Sequence, residues 1–294
     1  MSGERGEAGL VQLLVAMGMS LAVLGATLSI FSGSERIDRQ TQARNASQES
    51  ARLAMDLMSR ELRNLASPTP EQPEAVDLAG PYDLVFETVD PVGPNLADNG
   101  SNVERVRYCL GGTASSGVLY RQEQRWTTAT PPAMPSTSGC PSSVPAWSTR
   151  TQVAWGITNA REGLDRPLFR YDAENLTDIA LIHTQVFVDD DPVHGPGETS
   201  LSTGVFLRNQ NRRPIAEFTA ETAVPGSIVL NGSTSQDPEG EPLQYQWFDG
   251  GVYKGSGIRY DYQVASGSPH TLSLKVYDPA GLEGVSSGQT VTAR

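Results

Sequence analysis

The feature that most constrains this chain is its first apolar stretch, Leu10 to Phe31, LVQLLVAMGMSLAVLGATLSIF, which holds no charged residue in 22 positions. As a helix at about 1.5 Å per residue it reaches about 33 Å, enough to cross a hydrocarbon core of about 30 Å. A secretory signal peptide would show a basic leader, a shorter apolar core and a small-residue cleavage site. Here the leader carries Glu4, Arg5 and Glu7 and the apolar run is long, although Ser32 to Ser34 offers a place for such a cut.

The chain does not turn into a loop where the apolar run stops. From Ser34 to Leu65 there is no proline, and Ala51, Ala54, Leu57, Met58, Leu62 and Leu65 recur at helical spacing among Arg52, Asp56, Arg60, Glu61 and Arg63. That periodicity predicts one helix from Leu10 to Leu65, its first half apolar all round and its second half amphipathic.

These residues resemble a known family. GLVQLLVAM, behind a short polar leader ending in Gly9, looks like the prepilin-type N-terminus of type IV pilins and type II secretion pseudopilins, usually written GFTLVELLVAM. ARLAMDLMSRELRNL looks like the second half of the long helix in their larger, minor members. The resemblance implies a leader (residues 1–9) removed between Gly9 and Leu10 by a membrane prepilin peptidase, then N-terminal methylation. It also implies a helix (residues 10–66, with 10–31 transmembrane) that anchors the subunit and later packs with other pilins or pseudopilins. Against the pattern, the Phe-Thr pair is missing and Gln12 stands in the family's glutamate place. A glutamine cannot form the charge-assisted bond expected between that glutamate and a neighbour's terminal amine. By resemblance, such a subunit fits near the filament tip.

About 230 residues remain beyond the helix, enough for two domains. The net charge of −12 argues against a dedicated nucleic-acid face. The acidity is concentrated between Pro68 and Asn211, which holds 18 acidic and 9 basic residues. Ser67 to Pro81 carries four prolines and reads as a connection. Strand patterns follow at Asp83–Val89, Val103–Leu110, Gly117–Arg121, Gln152–Trp155, Leu168–Tyr171 and Ile179–Val188. The order of VRYCL, GVLYR, PLFRYD, IALIHTQVFVDDDP and LSTGVFLRN resembles the β-rich head of minor pilins of the pilin W and pseudopilin J groups, placed at 67–211. Cys109 in a strand and Cys140 in the Pro/Ser/Thr-rich stretch Thr127 to Thr149 form a candidate disulfide that would tie that stretch down.

Beyond Asn211, short alternating runs between turn residues predict a small antiparallel sandwich, with Leu272, Leu274 and Val276 on one face of a strand. This stretch, 212–294, resembles a PKD domain, an Ig-like β-sandwich. The resemblance rests on Pro214, Ala216 and Phe218, on LNGSTSQDPEGEPLQYQW and on VYDPAGLEG. It implies a core role for Trp247 and a structural turn through Ser235 and Asp237, whereas the family's WDFGDG is replaced by WFDGGV.

Chemistry is sparse. Asp189, Asp190 and Asp191 form one acidic cluster and Asp237, Glu239 and Glu241 another, and either offers oxygen ligands to calcium. No calcium-loop spacing accompanies them, and Pro192 and Pro238 read as turns, so no cofactor and no metal site is assigned. His183, His194 and His270 are scattered, and no nucleophile elbow, phosphate loop or zinc pattern occurs. The expectation is therefore an α+β protein of three parts: a long transmembrane-to-amphipathic helix, a β-rich head and a PKD sandwich. It is read as a non-catalytic minor pilin or pseudopilin, single-pass with its N-terminus cytoplasmic and later in an extracellular filament or at the cell surface. The PKD module would serve contact or adhesion to surface polysaccharide or protein. The rivals are a bitopic surface-anchored binding protein and a secreted binding module.

Overall fold

The computed structural model describes residues 4–66, 74–89, 103–113, 116–126, 131–164, 166–191, 197–222 and 224–294. The leader's first three residues, the prolines Pro68, Pro70 and Pro73, and Pro192 and His194 lie outside them.

One helix, α1 (Glu4–Arg63), runs unbroken for 60 residues. It begins before the expected Leu10 because the leader holds no proline to break it. It ends at Arg63, and Leu65 bridges to Thr88 instead. Thr88 Oγ1 lies 2.9 and 2.8 Å from the carbonyls of Glu61 and Asn64, and its one hydrogen adds to the bonds they already accept from the amides of Asn64 and Val89.

The first β unit contains β1 (Val76–Ala79), β2 (Asp83–Val89), β3 (Val103–Thr113), β4 (Ser116–Arg125), β5 (Thr149–Ile157), β6 (Phe169–Tyr171), a 3-10 turn at Leu176–Asp178, β7 (Leu181–Val188) and β8 (Thr199–Phe206). They form one sheet in the order β1-β2-β3-β4-β5-β7-β6, with β8 also on β7 and every pair antiparallel. β1 corrects the reading of Ser67 to Pro81 as a pure connection. The run between Pro73 and Pro81 is free of proline, so Val76, Leu78 and Ala79 pair with β2 as a short bulged edge strand.

Strand alternation gives β3 two unlike faces. Val106 and Tyr108 point into a core shared with Ala51, Ala54, Met55, Met58 and Leu62 of α1. Met55 takes the buried place expected of Leu57, which is half-exposed, because the docked stripe lies slightly to one side of the predicted one. Arg105, Arg107 and Cys109 point the other way, under the segment 131–148. There Arg105 donates to the Pro132 carbonyl at 3.0 Å, and Arg107 donates to those of Thr137 and Gly139 at 2.7 and 3.0 Å. Each guanidinium is buried and neutralised, Arg105 by Asp77 and Glu87 and Arg107 by Asp83. Cys109 and Cys140 are bonded, with Cα atoms 5.9 Å apart. Gly111 lets the Cys140 carbonyl pass directly over β3, where any Cβ would collide with it.

The C-terminal unit contains β9 (Thr219–Glu221), β10 (Ser227–Asn231), β11 (Gln244–Asp249), β12 (Val252–Ser256), β13 (Arg259–Gln263), β14 (Pro269–Tyr277), β15 (Glu283–Val285) and β16 (Gln289–Thr292). They make one sheet β13-β10-β9 and a second β12-β11-β14-β15, with β16 also on β14. A separate core of Phe218, Ile228, Leu230, Trp247, Leu272, Leu274, Val276 and Ala293 lies between them.

Closing a loop of 31 residues, the disulfide stabilises by about 3 to 4 kcal/mol in the chain-entropy account. C109A/C140A is expected to lose most of that in urea unfolding of the first β unit. It should leave the unfolding of the C-terminal sandwich, followed by Trp247, in place; an equal loss in both would contradict two separate cores.

Candidate functional site

The most distinctive surface is the unpartnered half of α1. Gln12–Ser29 has a mean hydropathy of 1.7 and none of it is buried, so by length and composition it is long and apolar enough to cross a membrane. Leu13, Met17, Met19, Leu21, Leu24 and Leu28 are each more than half exposed. Gln12 is exposed at one end of this surface, and Gly9 and Leu10 lie within the helix just before it.

The other half of α1 is fastened by polar bonds as well as by its apolar stripe. Gln40 donates to Asp191 at 2.6 Å, Arg44 lies 3.6 Å from Asp189, and Gln48 donates to Thr199 at 2.9 Å. The cluster Asp189 to Asp191, considered for calcium in the sequence, thus receives the helix. Further along, Glu61 accepts from Arg121 at 2.6 Å and from the Tyr108 hydroxyl at 2.5 Å. Arg121 also pairs with Glu104 at 3.0 Å and with Glu123. Burial, reinforced by the Glu61 carboxylate, pushes the Tyr108 hydroxyl well above the usual phenol range. Burial pulls Arg121 down, but Glu61, Tyr108 and Glu104 outweigh it and hold the guanidinium charge more firmly than usual. Sequence reasoning missed this network: a polar residue facing a sheet leaves no local pattern.

The two β units meet at three consecutive amides. Asn209 donates to the Leu65 carbonyl at the end of α1 at 3.1 Å, Gln210 to the Leu176 carbonyl at 2.7 Å, and Asn211 to Asp278 at 2.7 Å. Gly284 admits the Pro214 carbonyl where a Cβ would clash, so the connection lies flat on the sandwich.

Within the sandwich the residues singled out in the sequence serve its architecture. Trp247 is fully buried against Phe218, ring centroids 5.4 Å apart, and its indole donates to the Gly257 carbonyl at 2.8 Å. Ser235 clamps Glu217, accepting from its amide at 3.0 Å and donating to its carbonyl at 2.8 Å. One oxygen of Asp237 accepts from the amides of Glu239 and Glu241 at 2.9 and 3.0 Å, while Glu239 pairs with Arg212 at 2.6 Å. Partial burial and the carboxylates of Asp237, Asp278 and Glu239 push Glu241 up. No group of three or more metal-ligating side chains is gathered among the described residues.

His270, unassigned in the sequence, joins an array at one end of the sandwich. Its Nδ1 lies 2.6 Å from Asp249 Oδ2 and its Nε2 lies 2.8 Å from Ser268 Oγ. The Tyr262 hydroxyl donates to the same aspartate oxygen at 3.0 Å. Burial pushes Asp249 up, but the bonds from His270 and Tyr262 outweigh it and hold the carboxyl below its usual range. His183 is half-buried on β7.

No protein-family model matches the chain, and no curated protein matches it. Among solved structures, it is similar to the PKD1 domain of Vibrio anguillarum Epp. That match is 26% identical, covers 29% of this chain and 96% of that one, and has a TM-score of 0.26. A second similarity is to the PKD1 domain of the Vibrio cholerae metalloprotease PrtV, 20% identical, covering 28% of this chain and 96% of that one, with a TM-score of 0.25.

Two outcomes check the site's electrostatics. Arg121→Met leaves the part-buried Glu61 without its cation, while Glu104 keeps Arg125 at 2.9 Å, and is expected to destabilise the first β unit by about 3 kcal/mol. Adding Glu61→Gln should recover part of that loss, as a double-mutant cycle in urea would measure. Glu198 is held below its usual range, first by its bond from Arg166 and then by that from Thr158. A depressed carboxyl contributes stability above its unfolded pKa, about 4.3, and loses it as pH falls through the folded value. Glu198→Gln should therefore flatten the acid side of the stability curve below about pH 4.5 and leave its shape near neutrality unchanged.

Proposed function

We propose that this chain is a structural subunit of a type IV pilus, competence or type II secretion filament, with a non-catalytic role in that filament: a minor pilin or pseudopilin that works near the tip. The observation that carries the reading is the division of α1. Its second half is fastened to the sheet, whereas Gln12–Ser29 presents apolar side chains all round with none buried. Such a surface has two stable destinations, lipid or a bundle of like helices, and a filament subunit uses them in turn. In this reading a prepilin peptidase cuts between Gly9 and Leu10, and the helix enters the filament from the membrane. The β units are then carried outside, where the Cys109–Cys140 disulfide suits an oxidising compartment. The bonded amides Asn209 to Asn211 make the sandwich a rigid extension, a PKD-like module for contact with polysaccharide or protein.

A specific observation favours one rival, a bitopic surface protein that never assembles. Gln12 brings no charge to engage a neighbour's amine, and the leader holds two glutamates with its one arginine. A subunit at the tip meets no earlier subunit and has no need of that charge.

Intact mass after co-expression with and without a prepilin peptidase separates the readings. The filament reading predicts peptidase-dependent loss of residues 1–9 and one added methyl. An unchanged mass contradicts it, and a cut near Ser32 to Ser34 indicates the secreted form.

A further inference from the structure

The array at Ser268 has the order of parts of a serine–histidine–aspartate relay. Ser268 ends the turn Ala265–Ser268, His270 lies two residues on in β14, and Asp249 ends the neighbouring strand β11. The aspartate is held in place from the other sheet by Tyr262 of β13, whose ring meets the imidazole edge-on at 5.6 Å. A carboxylate only accepts, so Nδ1 carries the hydrogen toward Asp249, and in the neutral ring Nε2 is left as an acceptor aimed at Ser268 Oγ. The side chains of His270 and Asp249 are 15% exposed each, while Ser268 is half-open to solvent. That is the tautomer and direction in which a histidine takes a serine's proton.

Two further contacts set limits on the chemistry. Ser268 Oγ also lies 2.6 Å from the Ala265 carbonyl, so its single hydrogen chooses between that acceptor and Nε2 by rotation about Cβ–Oγ. The adjacent amides are engaged, Gly267 with Ala293 at 2.9 Å and Ser268 with Ala265 at 3.4 Å, and do not form an oxyanion site. Substrates must then bring a good leaving group of their own.

We propose that Ser268 is a surface nucleophile, with His270 as its base and Asp249 as the residue that positions the base, and that it takes small activated acyl or phosphonyl groups. With a fluorophosphonate, the Oγ–P bond forms as the P–F bond breaks. Fluoride leaves, and the hydroxyl proton moves to Nε2, giving an imidazolium balanced by Asp249. With an activated ester the Oγ–C bond forms, the alcohol or phenol leaves, and water later releases the acid. This is a function of the sandwich itself and does not rest on filament assembly.

The test is labelling of the full chain with a fluorophosphonate probe, mapped by peptide mass, with a known serine hydrolase as reference in the same reaction. Label is expected on Ser268 and is expected to vanish in Ser268→Ala. The labelling rate should fall about 100-fold in His270→Gln, the usual size of a lost general base, and at least tenfold in Asp249→Asn. Ser268→Cys should be alkylated by iodoacetamide faster than the same variant carrying His270→Gln, a second readout that keeps the fold nearly unchanged. No label on Ser268 while the reference reacts, or equal rates with and without His270, would overturn the proposal.

Discussion

The first β unit and the placing of the apolar half of α1 depend on the seam between the second half of α1 and the sheet beneath it. Ala51, Ala54, Met58 and Leu62 lie on it fully or almost fully buried, and burying side chains of this kind contributes about 1.5 to 3 kcal/mol for each large one. The small residues bring the helix close enough for Glu61 to reach Arg121 and Tyr108. The acidic end of β7 meets Gln40 and Arg44 one end further along. Because that half is fixed and α1 stays one helix through Gly33, the free half continues from it as the same helix.

A single-layer sheet with one face given to a helix must cover its other face. Here a proline-rich segment does so, which is unusual material for a cover since it supplies few apolar side chains. Its carbonyls instead solvate two buried arginines, and the disulfide fixes its middle. The arrangement satisfies the backbone of a long irregular segment that would otherwise leave carbonyls unpaired. Trp147 completes it, buried and donating to the Ser136 carbonyl at 3.2 Å.

Much of this was legible in the residues because it rests on short-range pattern. The helix announced itself by 3.6-residue spacing, β2 by its apolar run, β14 by alternation, and the disulfide by two cysteines in a chain with a spanning segment. What stayed hidden depends on pairs far apart in sequence. Gln40 and Asp191 are separated by 151 residues, and nothing local marks Asp189 to Asp191 as a seat for a helix. β1 was masked by its proline flanks. The carbonyls that cover Arg105 and Arg107 lie 27 to 32 residues further on, so nothing local marks those arginines as buried. The array of Asp249, Tyr262, Ser268 and His270 draws on three strands and a turn, so no motif spells it.

The central claim is that one continuous helix serves two solvents, its second half a protein core and its first half an apolar phase. Spin labels placed singly from Leu13 to Leu28 and from Gln40 to Leu62, with the chain in lipid bilayers, test this through relaxation by oxygen and by a water-soluble nickel chelate. The account predicts high oxygen and low nickel accessibility at every position in the first series. In the second it predicts a helical-period alternation, with labels at Arg52 and Arg60 reached by nickel. Nickel reaching the first series throughout, or a loss of periodicity in the second, would contradict it.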